Sequence, residues 1–159
     1  MPTFTLTPVA RVHGPRTAVE DDFWGDMPAT IVLEPDIPDE TLDGIEDFSH
    51  LEILFVFDRL PDDRTTASAR HPRHNPAWPR VGVFAQRAKL RPNRLGATIC
   101  RLVRREGRTL HVVGLDAIEG TPVLDIKPVF QEFLPREPVT QPAWSHELMR
   151  DYWRAGGER

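Results

Sequence analysis

Sixteen prolines and ten glycines are spread so regularly through the 159 residues that no long central helix can be placed in the chain. Proline removes a backbone donor and clashes with the preceding helical turn, and glycine carries a backbone entropy cost there. Between the breaks lie short apolar stretches, predicted as strands over 4–12, 29–33, 51–57, 81–84, 97–103 and 109–113, with a shorter run at 123–126. The stretch LEILFVF at 51–57 is almost continuously apolar and reads as a strand buried on both faces. In RREGRT, Gly107 stands between two β-rich runs, which is a hairpin signal. Many short strands with such turns predict a mainly β fold, a closed or nearly closed β-barrel, because closure removes exposed strand edges. Short peripheral helices are predicted over 39–48 and, at the C-terminus, over 142–153, where Trp144, Leu148 and Tyr152 recur every four residues. The proline-rich stretch 61–79 reads as a long surface loop of the kind that binds ligands on rigid scaffolds. One core is expected for this length, so 1–159 is read as a single barrel domain.

Several site types find no support. There is no GxGxxG, no GxxxxGK[ST] and no GxSxG in the chain. The single cysteine, Cys100, has no internal disulfide partner and lies in an apolar stretch, so it reads as a small buried hydrophobe. His71 and His74 stand three apart beside Arg73, and that cationic setting opposes a divalent metal; polar loop contacts are expected of them, and no metal site. No apolar run approaches the roughly 20 residues that span a bilayer, and the first residues show no charged region followed by an apolar block; a cytoplasmic protein without a membrane partner is expected.

The net charge of −4 conceals a segregation. Residues 1–58 carry 2 basic and 13 acidic side chains, whereas residues 59–108 carry 13 basic and 3 acidic. The basic middle, largely arginine and including Arg64, could gather phosphates or another anion. It could equally neutralise the acidic first third within the fold or across a dimer, and runs of charge are usually solvated or paired faces, which favours neutralisation.

Three segments stand out from this background: VGVFAQR at 81–87, LRPNRLG at 90–96 and GLDAIEGTPVLDIKP at 114–128. Each interrupts a strand with glycine, proline or asparagine and then places charged groups, among them Arg87, Arg91, Arg94, Asp116, Glu119, Asp125 and Lys127. Turns of this kind offer backbone donors to a carboxylate or ribose, and the carboxylates suit a cation. On the residues alone, an equally good reading is that Asp116 and Glu119 serve the EGTP turn and that Asp125 pairs with Lys127.

These segments, with the weaker PVARVHGPR start and EDFSHLEILFVFDR in the same order, closely resemble the TsaA-like (YaeB-like) family, which includes tRNA N6-threonylcarbamoyladenosine methyltransferases. The resemblance covers roughly residues 8–130. It implies a β-barrel methyltransferase that binds S-adenosyl-L-methionine without a Rossmann fold and usually works as a homodimer. Carried over by position, the family's cofactor contacts fall on Phe23, Trp24 and Gly25, on Asp58 and Arg59, on Arg87, on Ala97, and on Ile118, Glu119, Gly120 and Thr121. An aromatic of the first group could stack on adenine or approach the sulfonium, while the turn amides and Thr121 would bind polar groups.

The chain also departs from the family's tRNA enzymes. FWG stands where they have a PRQ-like loop, Asp58 where histidine is common, Arg94 where proline is usual, and Glu119 where aspartate precedes the GTP turn. The additional C-terminal region of the longer tRNA enzymes is expected to be missing, which leaves the methyl donor better specified than the acceptor. If the acceptor is the N6 of a modified tRNA adenosine, a carboxylate near the methyl group could accept its proton. Asp125 and Asp58 are the candidates, with Asp116 behind them, Lys127 orienting Asp125, and Arg91 and Asn93 holding the acceptor. The acceptor is tRNA or a related smaller molecule. Two further readings stay open: a non-catalytic S-adenosylmethionine-binding sensor, and an RNA-binding protein using the arginine-rich middle.

Overall fold

The computed structural model describes residues 1–61 and 67–156, so Arg64 and part of the 61–79 loop lie outside the described residues. Six strands close into a barrel: β1 (Ala10–His13), β2 (Pro28–Leu33), β3 (His50–Val56), β6 (Leu95–Glu106), β7 (Thr109–Val113) and β8 (Pro122–Pro128). Their order around the wall is β1-β2-β7-β6-β3-β8, with β8 returning to β1, and every pairing is antiparallel. Closure pairs every strand on both sides, which removes the free edges an open sheet would leave.

The longest strand does the turning. β6 pairs with β3 over Leu95 to Arg101 and with β7 from Arg101 onward, with a register shift between Leu102 and Arg104. The extra residue bends the strand from one neighbour to the next. Gly107, at φ 57°, makes the β6–β7 hairpin turn that its sequence announced.

The interior holds Val12, Ile31, Leu51, Ile53, Phe55, Leu110, Val112 and Val123, all at or below 2% exposure. Phe55 lies across from Gly96 in register, and a Cβ on that glycine would overlap the phenyl ring. Gly96→Ala is therefore expected to cost about 1–3 kcal/mol of stability through overpacking, measurable as a lowered urea midpoint. Cys100 is buried in the same core, and burial pushes its thiol up to about 12, with Asp116 adding to the shift. A thiolate is the reactive form, so this cysteine is chemically quiet at neutral pH.

Several predicted elements are corrected. The run 51–57 is not buried on both faces, because a closed barrel has one interior: Leu51, Ile53 and Phe55 point in, while Glu52, Leu54 and Val56 are half-buried on the outside. The first strand covers only Ala10–His13, the part that meets β2 and β8, and not 4–12. The 81–84 run gives the two residues of β5 (Val81–Gly82), paired with β4 (Ala69–Arg70) outside the barrel, before the chain turns at Val83–Ala85. The predicted helix over 39–48 is two 3₁₀ turns, Asp39–Leu42 and Ile45–Asp47, divided by Gly44 at φ 83°. The C-terminal helix α1 is Ala143–Leu148; beyond it the chain runs as turns along the loop that precedes β2.

Charge segregation resolves into pairs between distant segments. Arg73 forms a bidentate pair with Asp22 at 2.8 and 3.1 Å, Lys89 meets Asp21 at 3.1 Å, and Arg105 meets Asp43 at 3.0 Å. Arg108 pairs with Asp39. Four aspartates of the acidic first third are thus paired with the basic middle within one chain. No helix among the described residues is long and apolar enough to cross a membrane.

Candidate functional site

One end of the barrel gathers most of the segments singled out in the sequence. β3 ends beside the start of β6, with Val56 facing Leu95 and the Phe57 amide donating to the Arg94 carbonyl. Its other flank meets the start of β8, where Phe55 faces Val123. The end of β1 lies on the far side of β8, with Arg11 opposite Pro122. Asp58 and Arg59, the turn at Ile118–Thr121 and the RPNRLG bend are therefore neighbours because of sheet register.

Side chains tie these neighbours together. Arg59 donates to the Glu119 carbonyl at 2.5 Å and to the Thr17 carbonyl at 3.4 Å. Gly120, at φ 82°, passes directly beside that guanidinium. Arg87 donates to the Ala97 carbonyl at 2.5 Å, which brings the VGVFAQR segment onto the start of β6. Arg91 donates to the Gln86 carbonyl at 2.9 Å. Asn93 and Arg94 both hold left-handed backbone conformations, at φ 61° and 51°, and Arg94 donates to the Leu60 carbonyl. Left-handed residues other than glycine carry local strain of the kind that clusters at functional sites.

The Glu119 carboxylate accepts the Gly14 amide at 2.9 Å and His13 Nδ1–H at 2.9 Å. Those bonds, the Gly14 amide first and His13 next, hold its pKa below the ordinary glutamate value. A depressed carboxylate pKa contributes stability above the unfolded value, about 4.3, and loses it as pH falls through the folded value. The stability difference between the native protein and Glu119→Gln is thus expected to narrow below about pH 4. Thermal melts of both proteins across the acid range measure it.

The turn amides behave differently from expectation. The amides of Glu119, Gly120 and Thr121 donate to the carbonyls of Arg16, Val12 and Ile118, and the Thr121 side chain is buried. Those three N–H groups are already engaged, as are the carbonyls of Glu119 by Arg59 and of Thr121 by the Val12 amide, so the turn presents mainly the Glu119 carboxylate to its surroundings. In the FWG loop, Trp24 is only 3% exposed, and the guanidinium of Arg16 lies 4.0 Å from its ring centroid. One face of the indole thus already holds a cation. Phe23, half-buried at φ 66°, is the more accessible aromatic.

Comparison with known proteins bears on this barrel end. Residues 15–133 match the family model described as the tRNA-methyltransferase O N-terminal domain. The chain belongs to this family. The tRNA (adenine(37)-N6)-methyltransferase of Homo sapiens is 42% identical over 114 residues, covering 72% of this chain and 25% of that protein. A probable S-adenosyl-L-methionine-binding protein of Pyrococcus abyssi is 34% identical over 139 residues, covering 83% of this chain and 71% of its own length. The crystal structure of TrmO from P. aeruginosa superposes with a TM-score of 0.70 at 27% identity, over 91% of this chain and 62% of that one. The chain thus spans a quarter of the human relative and under two thirds of the bacterial structure. The resemblance read from VGVFAQR, RPNRLG and GLDAIEGTPVLDIKP agrees with this membership.

On the outer wall of this TrmO-type barrel, Asp125 shares one cross-strand row with Leu54 and the candidate residue Ala97, while Lys127 stands one step further along β8. They face Leu54 and Glu52 on the outside of β8 and pair with each other at 2.6 Å. The bond to Asp125 raises the Lys127 pKa. Lys127 is five residues beyond Pro122, about 16 Å along the strand from the Gly120 turn at the usual strand rise. Asp58 is exposed at the barrel end itself. His71 donates from Nδ1 to the Trp78 carbonyl at 2.7 Å, and the described residues contain no group of three metal-ligating side chains.

Two arrangements escaped sequence reading. Arg16 is buried beneath the FWG loop; the signal was that it is one of only two basic residues among the first 58. The second is the C-terminal strap. The amides of Phe23 and Trp24 donate to the carbonyls of Asp151 and Tyr152 at 3.1 and 2.8 Å, and Gly156 donates to Asp26 at 2.9 Å. Trp78 donates to Glu147 at 2.8 Å, while Tyr152 and Thr98 both donate to the Asp116 carboxylate. Burial, with the charge of Asp116 added, raises the Tyr152 pKa and keeps its hydroxyl a donor. No periodicity reports such a strap, since its contacts are main-chain groups and a few polar side chains scattered along 147–156.

Proposed function

We propose that the chain is an S-adenosyl-L-methionine-dependent methyltransferase acting on a modified adenosine of tRNA or a related smaller acceptor, with the donor site at the barrel end described above. The observation that carries this reading is the convergence of Arg59, Glu119 and Gly120 with Arg87 and Ala97 through sheet register, in a chain of this family. The groups present fit the donor's chemistry. Arg59 and Arg87 suit an aminoacyl carboxylate, Glu119 and Asp58 suit ribose hydroxyls or an ammonium, and Phe23 offers a ring face to a base or a cation.

When bound, S-adenosyl-L-methionine supplies an electrophilic methyl group on a sulfonium. The chain's own task is to orient the acceptor in line with that methyl and to exclude water. Asp58 is the carboxylate at the barrel end that would hold the proton leaving an acceptor nitrogen, and Arg91 and Asn93 flank the acceptor side. Asp125, oriented by Lys127, is the alternative base, and it would serve if a second subunit closed over the outer wall of β3, β6 and β8. That wall is apolar enough for a homodimer: Leu95 and Ile99 are 42% and 45% exposed and lie beside the half-buried Leu54 and Val56. A cytoplasmic location goes with a tRNA acceptor.

A second reading, a donor-sensing module without catalysis, draws on the Asp125–Lys127 pair, whose charges are satisfied by each other. Calorimetric titration with S-adenosyl-L-methionine, followed by methyl-transfer assays on bulk tRNA and on small-molecule extracts, separates the readings. Binding with transfer to tRNA is the expected result; binding with no transfer to any acceptor supports the sensor. Absence of binding overturns both.

A further inference from the structure

Arg16 occupies an unusual position for a charged side chain. It is 7% exposed, and its guanidinium donates from Nη1 to the Asp22 carbonyl and from Nη2 to the Phe23 carbonyl, both at 2.8 Å. The same group lies 4.0 Å from the Trp24 ring centroid, with the Glu20 carboxylate 3.8 Å away as counter-charge. Its backbone carbonyl accepts the Glu119 amide at 2.8 Å, and the next carbonyl, that of Thr17, accepts Arg59. Three segments that meet at the barrel end therefore join at this one dipeptide: 22–24 through the side chain, 119 and 59 through the main chain.

We propose that Arg16 is a positioning residue that sets the FWG loop against the Glu119–Gly120 turn, so that the two halves of the donor site keep a fixed separation. This rests on reading the barrel end as the donor site. A planar fork is needed to reach two consecutive carbonyls while stacking on an indole, and an ammonium can do only part of this. Two part-buried carbonyls with a charged donor between them are also costly to leave unmade, so the loop follows the guanidinium. The turn, by contrast, is held by main-chain bonds that any residue at position 16 retains. Loss of the fork frees the loop and leaves the turn and the rest of the barrel in place. The consequence is weaker capture of the donor, with the chemical step unaffected once the site is full.

The test compares the native protein with Arg16→Lys and Arg16→Met. Calorimetry gives the Kd for S-adenosyl-L-methionine, kinetics give kcat and KM for the same donor, and urea midpoints report folding. The expected result is a Kd and KM about tenfold higher in Arg16→Lys and higher again in Arg16→Met, with kcat at saturating donor within about threefold of native. Should Arg16→Met fail to fold, the lysine variant decides alone, since it keeps the buried charge and the stem. An unchanged Kd in folded Arg16→Lys overturns the proposal while leaving the donor site intact, as does a fall in kcat with KM unaltered. If the native protein itself binds no S-adenosyl-L-methionine, the donor-site reading fails and this inference goes with it.

Discussion

Phe55→Ala is expected to lower stability by about 3–5 kcal/mol, the range for removing a large aromatic from a packed core. Phe55 is 2% exposed, sits opposite Gly96 and Val123, and meets Phe57 edge-on at 5.3 Å between ring centroids. Gly96 has no side chain with which to fill the void, and Phe57 is tied by its amide to Arg94, so the cavity collapses poorly. A loss of this size is a large part of the margin of an ordinary domain. It falls at the register position where β3 joins β6 to β8, which carries Asp58–Arg59 on one side and the Gly120 turn on the other. Chemical denaturation gives the stability change. A cost below about 1 kcal/mol would mean that the barrel centre is not packed around this ring.

The barrel was legible because glycine and proline divide the chain into strand-sized pieces, and the Gly107 hairpin was legible because its turn is local. Strand LEILFVF misled for a physical reason: its outward residues Leu54 and Val56 are apolar too, and continuous apolarity does not say which neighbour covers the second face. The run at 81–84 looked like a barrel strand, but among the described residues it pairs with Ala69–Arg70, a pairing that composition cannot announce. The short 3₁₀ turns at 39–48 follow from the left-handed Gly44, which helical periodicity overlooks.

Motif order brought out the segments of the proposed donor site, and register explains why they are neighbours. What the residues could not disclose was competition for hydrogen bonds. Amides at Glu119, Gly120 and Thr121 look available in a turn motif, yet the carbonyls of Arg16 beyond β1, Val12 within it and Ile118 in the turn already use them. The Asp125–Lys127 pair shows the converse, since two residues apart on a strand places both on one face regardless of what that face meets. Arg16 was hidden because its acceptors, six and seven residues along the chain, are backbone carbonyls, which any residue types at those positions would supply.

The strap leads to the remaining large expected effect. Gly25→Ala should detach residues 143–156 from the FWG loop, because a Cβ at Gly25 would overlap the Trp153 carbonyl group, which is backbone and cannot rotate aside. The substitution adds one methyl and no charge, so whatever follows comes from the displaced strap. Phe23 and Trp24 would lose the Asp151 and Tyr152 carbonyls as acceptors, and Tyr152 would be drawn away from Asp116. Net values near 1 kcal/mol for each backbone bond, and more for the phenol on a carboxylate, put the fall in hydrogen-exchange protection at the Phe23 and Trp24 amides at about tenfold to hundredfold. Protection at Ile31 and Val112, in the buried middle of β2 and β7, should change far less, and limited proteolysis should cut within 143–156 first. Equal loss of protection throughout would mean that the strap and the barrel open as one unit. Unaltered exchange at Phe23 and Trp24 would mean that the strap does not hold the loop at all. Between these outcomes lies an FWG loop gripped by Arg16 from the barrel side and by two carbonyls of the strap from the other, with its geometry set by the chain around it.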